Sequence, residues 1–154
     1  MNTLYRIGLL AAALLSTSAW AQVKIEQAWA RATVQGQKAT GAFMTLTASQ
    51  PLQLVAVSTP VAGVAEIHEM KMEGNVMKMR ALPVLNLPAG QAVTLKPGGH
   101  HLMLMDLKAP LSPNNSISLT LTFKDAQGVQ SQQQLSLPVS TGMPAGMPAG
   151  HHHH

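Results

Sequence analysis

Beyond residue 22, apolar and polar residues alternate in short runs, and turn-forming residues separate the runs at close spacing. Alternation with a period of two is typical of strands that bury one face. The pattern predicts nine strands, at Val23–Ala28, Ala42–Ala48, Leu52–Val57, Val64–Met72, Val76–Ala81, Gln91–Leu95, His101–Leu107, Ser116–Phe123 and Val129–Leu137. Since no segment shows a long helical period, we expect an all-β domain built as a Greek-key sandwich or barrel.

The first 21 residues have a different pattern. Arg6 precedes an apolar run from Ile7 to Leu15, and the small residues Ala19 and Ala21 follow that run. This arrangement is typical of a secretory signal peptide over residues 1–21, and the run is too short to span a bilayer stably. We therefore expect an exported protein that begins at Gln22, with the bacterial periplasm as its compartment.

The C-terminal end changes character again, in the stretch "GMPAGMPAGHHHH". Proline and glycine every few residues prevent a core from forming, so residues 139–154 are predicted to be a flexible tail and residues 22–138 a single domain. The four terminal histidines are either native or the remnant of a purification tag. The signal peptide, which marks an unprocessed gene product, favours the native interpretation.

Charge and composition exclude several functions. The chain of 154 residues holds 10 Lys and Arg against 6 Asp and Glu, a formal net charge of +4, without any basic run, and aromatic residues make up 3%. Nucleic-acid binding therefore has almost no support. With no cysteine in the chain, neither a disulfide, a lipidated cysteine nor a nucleophilic thiol is available. A Gly-x-Ser-x-Gly motif is also absent from the sequence, and we expect a protein that is not an enzyme.

Methionine and histidine are concentrated between residues 68 and 105. Three histidines and six methionines fall there, which are His68, His100, His101, Met70, Met72, Met77, Met79, Met103 and Met105. A single methionine is usually a gap-filler of the hydrophobic core, so the spacing of the cluster has to decide its role. Alternation along the predicted strand places His101, Met103 and Met105 on one face and His100 on the other.

The stretch "EIHEMKMEGNVMKMR", residues 66–80, predicts a hairpin. If Glu73-Gly74 forms a two-residue loop, His68 lies opposite Met79; if Gly74-Asn75 forms it, Met79 lies diagonal to His68. Both registers bring an imidazole and a thioether within reach of each other. The remaining methionines are expected to form a hydrophobic collar or a docking patch for a partner, and these are Met70, Met72, Met77 and Met105.

The two predicted elements together offer two imidazoles and two thioethers, from His68, Met79, His101 and Met103. Thioether sulfur is soft and neutral, and imidazole is borderline, so this donor set favours copper(I) over zinc, calcium or magnesium. The absence of cysteine excludes a blue-copper centre, which needs a thiolate. Neutral donors suit an ion that must later be given up.

These residues resemble the motif of the periplasmic copper chaperones called PCuAC, which is His, ten residues, Met, twenty-one residues, then His-x-Met. All four positions match here, at His68, Met79, His101 and Met103. The stretches "AWARAT", "GAFMTLT", "LPAGQAVTLKPGGHHLMLMDLK" and "LTLTF" are also similar to this family, so the resemblance covers about Val23 to Leu137. It implies a cupredoxin-like β-sandwich that binds one copper(I) ion through those four side chains.

The resemblance also implies a place in copper delivery. It implies that copper goes to cytochrome c oxidase during assembly, with the copper-site subunit of the oxidase and a Sco-type thiol protein as partners, and we expect a monomer. Part of the family carries a tail rich in Met and His that is associated with a further copper, including copper(II). The candidates for such a second, weaker site are Met143, Met147, His151, His152, His153 and His154.

Two other functions stay open on the sequence. A periplasmic copper-buffering or copper-resistance protein would use the same site chemistry and would differ only in having no acceptor for the ion. A structural sandwich domain would use the methionines as core and would bind no metal tightly.

Overall fold

The structure, a computed structural model, describes residues 23–144, and these form an all-β domain. Its strands are β1 (Val23–Arg31), β2 (Ala39–Ala48), β3 (Leu52–Ser58), β4 (Ala62–Glu73), β5 (Val76–Leu82), β6 (Leu85–Leu87), β7 (Ala92–Leu95), β8 (His101–Leu107), β9 (Ser116–Asp125) and β10 (Gln130–Ser140). The predicted all-β class is confirmed, and each of the nine predicted strands has a counterpart. The predicted signal peptide and the tail beyond residue 144 lie outside the described residues.

One strand of the structure, β6, is not among the predicted strands; it has three residues and lies between Pro83 and Pro88. Both of its leucines are buried, and the strand pairs with β3. A run this short between two prolines carries too little alternation to be recognised as a strand. Within residues 23–144 no helix is long and apolar enough to cross a membrane.

The strands form one long sheet in the order β5-β4-β8-β2-β1-β10-β9-β3-β6, with β7 paired to β2 outside this path. The β1–β10 pair is parallel, and the other described pairs are antiparallel. Ile67 of β4 and Leu54 of β3 lie near opposite ends of this order and yet belong to the same core cluster. The sheet is therefore wrapped around a single core, as a sandwich requires.

The buried core determines which side chains of β8 lie on the outer face of the sheet. Its largest fully buried side chains are Phe123, Met44, Leu46, Leu54, Leu87, Leu95, Leu102, Leu104, Leu119, Leu121 and Leu137. Burying one such leucine contributes roughly 1.5–3 kcal/mol, which fixes the orientation of the whole strand. Because side chains alternate along β8, Leu102 and Leu104 point into the core and their neighbours His101 and Met103 lie on the outer face.

A bulge in β1 brings an aromatic ring to the same outer face. The register between β1 and β2 shifts between Glu26 and Trp29, and Gln27 between them has φ 55°. An extra residue of this kind changes which side chains face the core. After the bulge, Trp29 lies opposite Phe43.

Candidate metal site

The β4–β5 hairpin turns at Gly74-Asn75, with Glu73 paired to Val76. The second of the two predicted registers is therefore the one found. Gly74 has φ 62°, and a positive φ at the first loop position of a two-residue hairpin favours glycine. In this register Met79 lies directly opposite Met70 and diagonal to His68.

The β4–β8 pair brings the two candidate histidines together. His68 lies directly opposite His101, and their ring centroids are 5.9 Å apart. On the same face, Glu66 lies opposite Met103. Both histidines are buried, with 8% and 7% of their surface exposed, and Nδ1 of His68 is fully enclosed without a hydrogen-bond partner.

Met79, on the β5 strand of the hairpin, contacts one of the two histidines. Its Sδ lies 3.1 Å from Nε2 of His101. Nδ1 of His101 is 2.9 Å from the carbonyl oxygen of Gly99 and donates its hydrogen to it, so in the neutral ring the lone pair is on Nε2. A backbone partner that fixes the tautomer in this way is the usual arrangement of metal-binding histidines. An imidazole lone pair and a thioether sulfur therefore converge on one point.

The point where they converge opens into a cavity of about 280 Å³. Met79, His101 and Met103 all line this cavity. Met79 is 46% exposed, whereas the two histidines are buried. The four predicted donors lie on one face of three adjacent strands, with the thioether of Met79 on the solvent side. Three of them line the cavity, whereas His68 does not. Between residues 23 and 144 no group of three or more His, Cys, Asp and Glu could hold a metal ion, so the candidate set depends on its sulfur atoms.

A row of rings crosses the sheet beside the cavity. The centroid distances are 4.8 Å from Trp29 to Phe43 and 6.5 Å from Phe43 to His101, and His68 follows on the next strand. A Cβ on Gly41 would lie 2.7 Å from Cζ of Phe43, so the Phe43 ring can lie over β2 only because residue 41 has no side chain. The row of rings is not among the predictions from the sequence, although "AWARAT" and "GAFMTLT" contain both aromatic residues.

The contact of Glu66 with His68 is not among the predictions from the sequence. Oε2 of Glu66 lies 2.8 Å from Nε2 of His68, while Nδ1 of the same ring is buried without a hydrogen-bond partner. The signal that could have found it is the spacing "EIH", because residues two apart on a strand share a face.

The other candidate residues lie away from the cavity. His100 is 3.7 Å from Oε2 of Glu69, which also binds Arg80. Met72 and Met77 are exposed near the hairpin turn, and Met105 is half-buried on β8. Of the candidates for the second site, Met143 is exposed, whereas Met147 and the four terminal histidines lie outside the described residues.

Comparison of sequences identifies related proteins. Residues 23–139 match the model of a family described as "Putative lipoprotein LpqE-like". A protein of Leifsonia xyli subsp. xyli named "Putative lipoprotein Lxx21020" is 35% identical over 104 residues, which are 67% of this chain and 63% of that protein. The chain therefore spans less than two thirds of the length of this relative.

Comparison of structures identifies the same architecture in solved proteins. The apo form of DR1885 from Deinococcus radiodurans has a TM-score of 0.59 and 28% identity, and the match covers 93% of this chain and 95% of that one. The apo PCuAC domain from PmoF1 has a TM-score of 0.63 and 26% identity, with 78% and 94% covered. The resemblance to PCuAC domains is thus confirmed, together with the cupredoxin-like fold that it implies.

Proposed function

The chain belongs to the LpqE-like family, and on that premise we propose that it is an exported copper(I) carrier. It binds one copper(I) ion through His68, Met79, His101 and Met103, and it delivers the ion for the assembly of cytochrome c oxidase. The observation that carries the proposal is the contact of 3.1 Å between Sδ of Met79 and the lone-pair nitrogen of His101, beside the paired His68.

The chemistry of the donors supports copper(I) in particular. Two thioethers and two imidazoles are neutral and soft to borderline, the combination that copper(I) accepts and that hard cations do not. Among the similar structures, DR1885 has also been solved with copper(I), at 28% identity to this chain. That ion belongs to DR1885, and it supports the same cargo here.

The difference in solvent exposure between the histidine donors and Met79 supports a protein that carries copper and releases it. The buried histidines hold their rings in fixed positions, whereas Met79 is half exposed on an edge strand. A ligand of an acceptor protein can therefore replace the Met79 thioether while the histidines still hold the ion. Neutral donors should then release copper(I) to thiolates, and we propose the oxidase copper-site subunit and a Sco-type thiol protein as partners.

Export and a second site complete the proposal. The predicted signal peptide supports a periplasmic location. The names of the matched family and of the Leifsonia relative, both described as lipoproteins, support export. We further propose that the tail binds copper(II) weakly through its histidines, His151, His152, His153 and His154. Imidazole nitrogens suit copper(II).

The test is a competition titration with a copper(I) chelator under reducing conditions, in wild type, Met79→Leu and Met103→Leu. Leucine keeps the volume and the apolar character of methionine and removes the donor sulfur. Met72→Leu is the matched control, because Met72 is an exposed methionine of the same hairpin that does not line the cavity. Unchanged affinity in both site variants would show that the ligand set is wrong.

Delivery is tested separately, by mixing the copper-loaded protein with the reduced copper-site domain of an oxidase subunit and then with a reduced Sco-type protein. Transfer to either supports the carrier function. Tight binding without transfer to either partner would instead identify a copper-buffering protein.

A further inference from the structure

A carboxylate outside the four-residue motif contacts one of the two histidines. Oε2 of Glu66 lies 2.8 Å from Nε2 of His68, on the same strand face and two residues away. The His68 side chain is 11% exposed and that of Glu66 is 43% exposed, so the carboxylate keeps contact with water while it reaches a buried ring. The contact is therefore compatible with a charged Glu66.

The direction of this hydrogen bond fixes the tautomer of His68. An ionised carboxylate only accepts hydrogen bonds, so Nε2 of His68 carries the hydrogen and donates it. A neutral imidazole has one hydrogen, and a metal-binding imidazole must be neutral. In that form the lone pair of His68 is on Nδ1, which is buried and has no hydrogen-bond partner.

The two histidines are therefore held in opposite tautomers. In His101 the backbone carbonyl of Gly99 takes the Nδ1 hydrogen and leaves the lone pair on Nε2. In His68 the Glu66 carboxylate takes the Nε2 hydrogen and leaves the lone pair on Nδ1. Each ring thus has one nitrogen held by a neighbour and a lone pair on the other nitrogen. In His101 that nitrogen lies beside Sδ of Met79, and in His68 it is enclosed without a hydrogen-bond partner.

Resting on the proposed function, we infer that Glu66 is a positioning residue of the copper site. It holds His68 so that this ring binds copper(I) through Nδ1, while His101 binds through Nε2. Its charge has a second effect, because four neutral donors leave the full positive charge of copper(I) in a half-buried site. A carboxylate next to a ligand, without being one, offsets that charge.

The first test uses the apo protein and needs no copper. With ¹⁵N-labelled histidine, NMR distinguishes a protonated from an unprotonated ring nitrogen at neutral pH. We expect His68 with its hydrogen on Nε2 and His101 with its hydrogen on Nδ1. Glu66→Leu should abolish the preference of His68 and leave His101 unchanged. The inference is overturned if wild-type His68 carries its hydrogen on Nδ1.

The second test adds copper(I), which is diamagnetic and allows the same NMR measurement. In the loaded protein, the ¹⁵N resonance of Nδ1 in His68 and that of Nε2 in His101 should move most. A dominant shift of Nε2 in His68 would show that copper displaces the Glu66 contact, and the inference would fail. Failure of the wild type to bind copper(I) at all would contradict the proposed function instead, and the apo tautomers would be unaffected by it.

Two substitutions separate position from charge. Glu66→Gln keeps an oxygen that can accept the hydrogen from Nε2 and removes the charge, whereas Glu66→Leu removes both. We expect copper(I) affinity to fall by about 10–100-fold in Glu66→Leu and by a smaller factor in Glu66→Gln, which should retain the tautomer. Glu69→Leu is the matched control, because Glu69 is on the opposite face and contacts Arg80 and His100. Equal affinities in Glu66→Leu and Glu69→Leu would overturn the inference.

Discussion

Side chains of β8 alternate between an inner face and an outer face of the sheet. The inner face is apolar, whereas the outer face carries imidazole and thioether groups. On the inner face Leu102 and Leu104 are fully buried among other apolar side chains. On the outer face His101 is nearly as buried, but its ring has a fixed hydrogen-bond partner and a sulfur atom beside it. Burial on the inner face therefore stabilises the fold, whereas burial on the outer face holds donor atoms at defined positions.

Two methionines show the same contrast between a core side chain and a side chain at the candidate metal site. Met44 on β2 is 1% exposed and belongs to the core, while Met79 on β5 is 46% exposed and lines the cavity. The first fills space, which is the usual use of methionine. The second has its sulfur in contact with an imidazole nitrogen. The number of methionines in a sequence thus indicates little until the strand faces are known.

The largest effect is expected on the inner face. Leu104→Ala removes a fully buried side chain and leaves a cavity, so it should lower the free energy of unfolding by about 2–5 kcal/mol. Copper(I) affinity of the folded protein should stay close to that of wild type. Urea unfolding and chelator competition measure the two quantities. A cost below about 1 kcal/mol would contradict the assignment of this face to the core.

The next effect is expected on the outer face, where Met103→Leu should show the reverse pattern. Stability should change by less than about 1.5 kcal/mol, because the volume is conserved. Copper(I) affinity should fall by more than about 100-fold, which exceeds the usual loss for a residue that only supports a ligand. Met44→Leu is the control within the core, and its affinity should be unchanged. Equal losses in both variants would remove the contrast between the two faces.

A smaller effect on stability is expected at Gly41, beneath the Phe43 ring that lies beside the site. Gly41→Ala places a Cβ 2.7 Å from Cζ of Phe43, and such overpacking costs about 1–3 kcal/mol. The displaced ring should change the fluorescence of Trp29, the single tryptophan outside the predicted signal peptide. Gly142→Ala is the control, because nothing lies within 4 Å of its added Cβ. Unchanged stability and emission in Gly41→Ala would show that the Phe43 ring is not confined by β2.

The smallest effect is expected from the tail. Cutting the chain after Thr141 should leave copper(I) affinity unchanged, because all four proposed donors lie between residues 68 and 103. A second, weaker copper(II) site should disappear, and isothermal titration with copper(II) measures it. Equal copper(II) uptake by the full-length and the shortened protein would exclude the tail site and would favour a tag as the origin of the histidines.

The strands and the donor face could be predicted from the sequence because both depend on local alternation. Leu102 and Leu104 identify the inner face of β8, and His101 then has to lie on the outer one. The hairpin register was narrowed to two options, and the positive φ of Gly74 is consistent with the one found. These features involve residues close together in the chain.

The partners of the histidines could not be predicted, because they depend on pairing between distant strands. Nothing in the local pattern places β8 between β4 and β2, and that order sets His68 opposite His101 and brings the Phe43 ring to within 6.5 Å of His101. Glu66 is close to His68 in sequence, yet its role depends on which face of β4 is covered. The motif spacing therefore predicted the four donor residues, whereas the strand order determines which side chains contact the rings of His68 and His101.

The parallel pairing of β1 with β10 has a consequence for folding kinetics. Ala30 pairs with Val139, so the first and last described strands lie side by side and close a loop of more than a hundred residues. Contacts of such long sequence separation slow folding, which takes milliseconds to seconds in β-sandwiches. The proposed donors lie on β4, β5 and β8, and the pairing of β4 with β5 and with β8 involves neither β9 nor β10. The donor strands therefore meet through contacts of shorter sequence separation than the contact that joins β1 to β10.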